Sequence, residues 1–197
     1  MTPPEGWASA RFDRIGHILA INTLAFTALS MVQVTVPFYL QDHFRLSTDT
    51  TISAATALSL LLTLATLAGI RVAARDGISI AVTAALGLLL AGIGIAGMFL
   101  AGSTAVLLLG HLSIGFGLGL FTPSPPAMLS LASSAGVQSH AAGLLSAAAT
   151  SGYVLGPLAG GYLYARYGAC AFLVAAALLA VVALGILLRA SHNQQSG

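Results

Sequence analysis

Gly152-Tyr153-Val154-Leu155-Gly156-Pro157-Leu158-Ala159-Gly160-Gly161 sits inside an apolar run from Ala141 to about Tyr164. Its pattern is G-x-x-x-G-P-x-x-G-G. In water this run is a poor helix, because Gly costs roughly 1 kcal/mol and an interior Pro roughly 3 kcal/mol relative to Ala. In a bilayer the backbone finds no water to bond, so the helix is kept even where Pro157 removes a donor and crowds the carbonyl one turn back. The expectation is a membrane-spanning helix bent near Gly156.

Gly152, Gly156 and Gly160 recur every four residues. They drift only about 40° per step around a helix and make one flat stripe, with Gly161 beside it. A second helix can approach such a stripe closely, and packing is the main attraction between helices once lipid removes the hydrophobic drive. Ser146, Thr150, Tyr153 and Pro157 form a neighbouring stripe that is small but polar.

The rest of the chain agrees with a membrane setting. It is 57% hydrophobic and 6% charged, with a mean hydropathy of +0.95, which excludes a soluble domain. Apolar runs near 15–39, 51–71, 78–100, 104–122, 141–164 and 169–188 are each long enough to cross about 30 Å at 1.5 Å per residue. The fold class expected is therefore all-α, with six transmembrane helices. Every Asp, Glu and Arg lies outside these runs or at their very ends, as a cost of about 2.5 to 3.5 kcal/mol per charge at mid-bilayer requires.

Seven Arg and no Lys are spread thinly, so no basic patch for nucleic acid is formed. The Arg residues bear on orientation instead. With the amino terminus inside, Arg11, Arg14, Arg71, Arg75 and Arg189 are cytoplasmic and only Arg45 and Arg166 are external. Both termini are expected in the cytoplasm and the protein in the plasma (inner) membrane. Residues 1–14 lack the apolar core of a cleavable signal and read as a cytoplasmic tail or linker, 15–188 as the six-helix module, and 189–197 as a second cytoplasmic tail. The single Cys170 permits no intrachain disulfide.

On the first helix Asn22, Phe26, Ser30 and Gln33 share one face within about 80° of arc, the spacing of a cavity-lining stripe or of interhelical hydrogen bonds. Pro37 to Gln41 is expected to end that span. The hydroxyls of the second helix, Ser53, Thr56, Ser59, Thr63 and Thr66, are expected to bond their own backbone. The third and fourth helices carry Gly87, Gly92, Gly94 and Gly97, and Gly110, Gly115, Gly117 and Gly119, as close-packed membrane helices do. Phe121-Thr122-Pro123-Ser124-Pro125-Pro126 breaks the fourth helix, and the last helix closes the bundle or faces lipid.

The G-P-x-x-G-G segment resembles the signature that antiporters of the major facilitator superfamily carry in their fifth helix, often echoed in the eleventh. Gly110-His111-Leu112-Ser113-Ile114-Gly115-Phe116-Gly117-Leu118-Gly119 resembles the superfamily's R-x-x-x-G-x-G-x-G segment one helix earlier, with His111 where the Arg stands. Gly69 to Gly77 is similar to a worn G-x-x-x-D-R-x-G-R-R loop, keeping Arg75 and Gly77 but placing Ala74 where the acid belongs. That wear, and Phe38-Tyr39-Leu40-Gln41 at the end of the first span, make the chain resemble the carboxy-terminal six helices, although the G-P-x-x-G-G pattern, strongest in fifth helices, pulls toward the other half. The resemblance implies two three-helix units, 15–100 and 104–188, related as inverted repeats.

It also implies a function: one half of a proton-linked exporter of small hydrophobic compounds. That half needs a second copy of itself or another six-helix chain, no cofactor and no metal. Asn22, Phe26, Ser30, Gln33, His111 and Tyr153 are the expected substrate-facing residues. The alternatives are a sugar or metabolite carrier of the same superfamily and a truncated membrane protein that transports nothing. An intramembrane serine protease is disfavoured, because Ser151-Gly152 follows Ala149-Thr150 and no His follows inside a helix.

Overall fold

The computed structural model describes residues 5–75, 79–133 and 138–195, and among these it is helical with no strand. The helices are α1 (Glu5–Phe44), α2 (Thr48–Ala73), α3 (Ile80–Phe99), α4 (Thr104–Phe121), α5 (Ser124–Ala132), α6 (Gln138–Tyr167) and α7 (Cys170–Gln195). Six stretches are long and apolar enough to cross a bilayer, with α4 and α5 together supplying the fourth. The protein is an integral membrane protein, with six spanning segments among the described residues.

Three boundaries differ from the sequence reading. Helix α1 starts at Glu5, so the helix begins ahead of the first span at Asp13–Phe44, and α7 likewise runs on to Gln195, past the last span at Cys170–Ser191. Pro37 does not end α1, which continues for seven more residues to Phe44. Pro157 also lies within an unbroken α6. Both prolines are tolerated because backbone hydrogen bonds have no competitor in lipid and neighbouring helices hold the segment. By contrast, Pro123 with Pro125 and Pro126 does separate α4 from α5. Three prolines in four residues remove too many donors for a single helix to bridge.

The connections are short. Helix α1 closes through Arg45, whose φ of 56° is left-handed, and the Leu46 amide returns to the Leu40 carbonyl. Ser47 then caps α2 by accepting from the Thr50 amide. Gly168, also at φ 56°, makes the turn between α6 and α7, where only a residue without a Cβ is unstrained. The α3–α4 turn is fastened to α1 by Tyr39, whose hydroxyl donates to the Ala101 carbonyl at 2.9 Å.

Packing follows a scheme that maps onto itself when the two three-helix units are exchanged. Helix α1 of the first unit lies along α6 of the second, as α4 lies along α2; α3 packs on α4, as α7 packs on α1; and α3 meets α7 between them. This leaves α2 and α6 as the least buried spans. The core runs through Leu29, Leu88, Ile95, Ile114, Phe172 and Leu179, all nearly or fully enclosed.

Glycine sets the closest crossings. The α6 stripe faces α1: a Cβ on Gly152 would lie 2.6 Å from the Thr23 carbonyl oxygen, and one on Gly160 2.9 Å from that of Met31. A Cβ on Gly156 would collide with the Ser30 hydroxyl. Gly161, in contrast, faces open space. The glycines of α4 serve two partners. Gly110 and Gly117 meet Gly94 and Gly87 of α3, while Gly115 and Gly119 meet Leu62, Thr66 and Gly69 of α2. A seven-residue and a four-residue spacing each hold one face of a helix, so α4 is a glycine wedge between two neighbours.

Candidate functional site

The six side chains expected to face substrate separate into three groups. Asn22 and Ser30 belong to the α1–α6 seam. Asn22 is only 3% exposed and its Nδ2 donates to the Leu145 carbonyl at 3.1 Å. Ser30 is 1% exposed, with its hydroxyl 2.7 Å from the Phe26 carbonyl of its own helix and 3.0 Å from the Gly152 carbonyl of α6. Thr23 adds a third link to α6, donating to the Ala148 carbonyl. These groups hold two helices together, with Asn22 and Ser30 enclosed and Thr23 half-buried.

Phe26 and Tyr153 form the second group. Their ring centroids are 5.1 Å apart, and Phe26 also meets Phe121 of α4 edge-on at 6.3 Å. Such offset and edge-to-face pairs are the favoured aromatic geometries. Phe121 is fully enclosed, while Tyr153 is 45% exposed and is the open end of the trio.

Gln33 and His111 form the third group, in a recess of about 220 Å³ between α1, α2 and α4. Leu29, Val32 and Val36 line it from α1, Ser59, Leu62 and Thr63 from α2, and Ile114 and Leu118 from α4. No charged side chain is among the lining residues. His111 is 5% exposed and its Nδ1 lies 2.9 Å from the Leu107 carbonyl one turn back. A carbonyl can only accept, so the ring proton of the neutral imidazole belongs on Nδ1, and Nε2 is left as an acceptor. The ring is therefore anchored by its own helix and not by a neighbouring one. Gln33, on the α1 wall of the recess, can both donate and accept.

The sequence pattern marks Ser59 and Thr63 only as backbone-bonded hydroxyls. They do bond their own helix, to the Ala55 and Ser59 carbonyls, and so do Ser53, Thr56 and Thr66. Ser59 and Thr63 nevertheless line the recess. The signal that could have singled them out is a stripe: Ala55, Ser59 and Leu62 on α2 and His111, Ile114 and Leu118 on α4 keep one helical face each.

The exposed faces of the bundle differ in kind. Helices α3 and α7 present Leu86, Ile93, Val181 and Leu184 outward. Helices α2 and α6 expose hydroxyls among their apolar residues, Ser53, Thr56, Ser59 and Thr63 on one and Ser146, Thr150 and Ser151 on the other.

Residues 18–196 match the sequence family described as the Major Facilitator Superfamily. The chain belongs to this superfamily. No curated protein matches it in sequence. Among solved structures, the fold is similar to crystal structures of POT family transporters. One, in complex with a thioalcohol-conjugated peptide, superposes with a TM-score of 0.76 at 17% identity, covering 88% of this chain and 37% of that one. Another, in complex with 5-aminolevulinic acid, gives 0.77 at 17% identity, and a peptide transporter POT mutant in complex with alafosfalin gives 0.78 at 15%, both with the same coverage. The superfamily member described here thus spans little more than a third of the length of these structural neighbours.

Proposed function

We propose that this superfamily member is one six-helix half of a proton-linked transporter that exports small, uncharged, largely apolar compounds. The observation that carries the reading is the recess between α1, α2 and α4. Its wall is apolar, with hydrogen-bonding groups from Gln33, Ser59, Thr63 and His111 and no charge. Small-molecule sites are built in this way, mostly apolar with a few polar groups that fix orientation. A charged substrate, such as a zwitterionic peptide, would need opposite charges beside it, and the recess supplies none.

The second half rests on the side bounded by α2 and α6. These are the least buried spans, and they are the ones that expose hydroxyls where α3 and α7 expose aliphatic side chains. The occupant is a second copy of this chain or a distinct six-helix chain, and alternating access is the rocking of one half against the other around the shared cavity. Tyr153, the open end of the aromatic trio, adds apolar surface for substrate, with Phe26 packed behind it. The coupling carboxylate belongs to the opposing half, since no Asp or Glu lies within the apolar core of any span of this one.

The reading is tested by protection. In a Cys170→Ala background, Gln33→Cys is alkylated with a membrane-permeant maleimide with and without a panel of neutral apolar compounds. Slowed alkylation by at least one compound, absent for a charged dipeptide, is expected. Equal rates throughout, or protection by the dipeptide alone, would overturn the substrate class.

A further inference from the structure

At the end of the bundle where the first span begins and the last one ends, a second hollow of about 230 Å³ opens between α1, α3, α5 and α7. It shares no lining residue with the recess described above. Arg14 and His17 reach it from α1 and Arg189 from α7, while Ile18, Ile21 and Ile186 make an apolar wall. None of its lining residues is acidic.

The imidazole of His17 sharpens the case. Its Nε2 is enclosed and has no hydrogen-bond partner among the described residues. Buried polar groups are paired in nearly all native structures, with protein, ordered water or a ligand, so this nitrogen has room for a partner in the hollow that His17 lines. Arg14 and Arg189 line the same hollow as His17, and guanidinium is the side chain best shaped to grip phosphate oxygens in pairs. Coming from the ends of the first and last spans, Arg14 and Arg189 stand at the level of lipid headgroups. From Arg14 to Ile21 the wall descends seven residues, about 10 Å, toward the hydrocarbon.

We propose that this hollow holds the phosphodiester of an anionic phospholipid between Arg14, His17 and Arg189, with the upper acyl chain along Ile18, Ile21 and Ile186. Free phosphate would satisfy the cations and leave the apolar wall bare. A choline headgroup would bring its own cation against two arginines. Basic pockets between helices at the membrane surface favour anionic headgroups for this reason.

The test is native mass spectrometry of the full chain in neutral detergent, titrated with phosphatidylglycerol, with phosphatidylcholine, or with phosphatidylglycerol plus excess inorganic phosphate. Phosphatidylglycerol is expected to be retained at least about fivefold better than phosphatidylcholine. Arg14→Gln and Arg189→Gln should each lower its retention by about fivefold, the effect of one cation near a charged surface. Arg14→Lys should keep most of it. Inorganic phosphate should not displace the lipid. Equal retention of the two lipids, unchanged binding by both Gln variants, or displacement by inorganic phosphate would each overturn the proposal. The lipid comparison is made on the unaltered chain and so stands even if a variant fails to fold.

Discussion

Asn22 of α1 donates a hydrogen bond from its Nδ2 to the carbonyl oxygen of Leu145 on α6, 3.1 Å away. Eight residues further along α1, the Ser30 hydroxyl reaches the Gly152 carbonyl of the same partner helix. Between and beyond these bonds the α6 glycines let the two backbones approach. The seam between α1 and α6 thus combines polar links with close packing, the two attractions available to helices in lipid.

The first prediction is that Asn22→Ala weakens this seam modestly. An interhelical hydrogen bond in a membrane bundle is worth about 0.6 kcal/mol and at most about 1.7 kcal/mol. Unfolding with a denaturing detergent should show a loss in that range, with the compound-protection behaviour of Gln33→Cys unaltered. A loss of binding without a loss of stability would return Asn22 to the cavity.

The second prediction separates two glycines of the same motif. Gly156→Leu should prevent monodisperse assembly, because its Cβ alone collides with Ser30 and comes within 2.9 Å of the Met31 amide nitrogen. Gly161→Leu should be tolerated, since nothing lies within 4 Å of its Cβ position. Size-exclusion profiles after extraction decide it, and equal behaviour of the two variants would contradict the packing described.

Much of this architecture can be read from the residues. Gly152, Gly156 and Gly160 mark a packed stripe because their four-residue spacing leaves one flat face, and the six spans follow from where charge is absent. The same reasoning stops short at α1. Asn22, Phe26, Ser30 and Gln33 share one arc, yet what each one meets depends on which neighbour passes at its height, and periodicity carries no information on that. Asn22 and Ser30 therefore face α6, whereas Gln33 faces the recess. The α4 glycines hide their division between α2 and α3 for a similar reason, as two interleaved spacings look like a single ladder. Pro37 misleads because its usual effect assumes water competing for the backbone. Gly161 belongs to the motif by pattern alone.

A third prediction concerns His111. With Nδ1 held by the Leu107 carbonyl, its Nε2 is an acceptor for a ligand hydroxyl or amide in the recess. His111→Phe should keep the fold, because the ring is replaced by one of similar shape and the Leu107 carbonyl also serves the helix. It should weaken protection of Gln33→Cys by compounds that carry a donor by about tenfold, the worth of one hydrogen bond left unmade in a buried site. Protection by compounds without a donor should stay unchanged, and an equal loss for both sets would mean that His111 only packs.

The fourth prediction addresses orientation. In a Cys170→Ala background, cysteines at Thr48 and Arg166 should react with an impermeant thiol reagent added to sealed cells, and one at Arg75 should not. All three positions are exposed ends of spans, so reactivity reports the side of the membrane. Labelling at Arg75 would reverse the topology inferred from the Arg distribution.

The central claim is that this chain works only opposite a second six-helix half, and the mass of the transporting species tests it most directly. The chain is purified from its native membrane in a mild detergent, its mass is measured intact, and the same preparation is reconstituted for substrate-driven proton movement. The account predicts a species containing two six-helix chains, with proton movement lost when they are separated into single chains. Full substrate-coupled proton movement from a preparation proven to hold single 197-residue chains would contradict it.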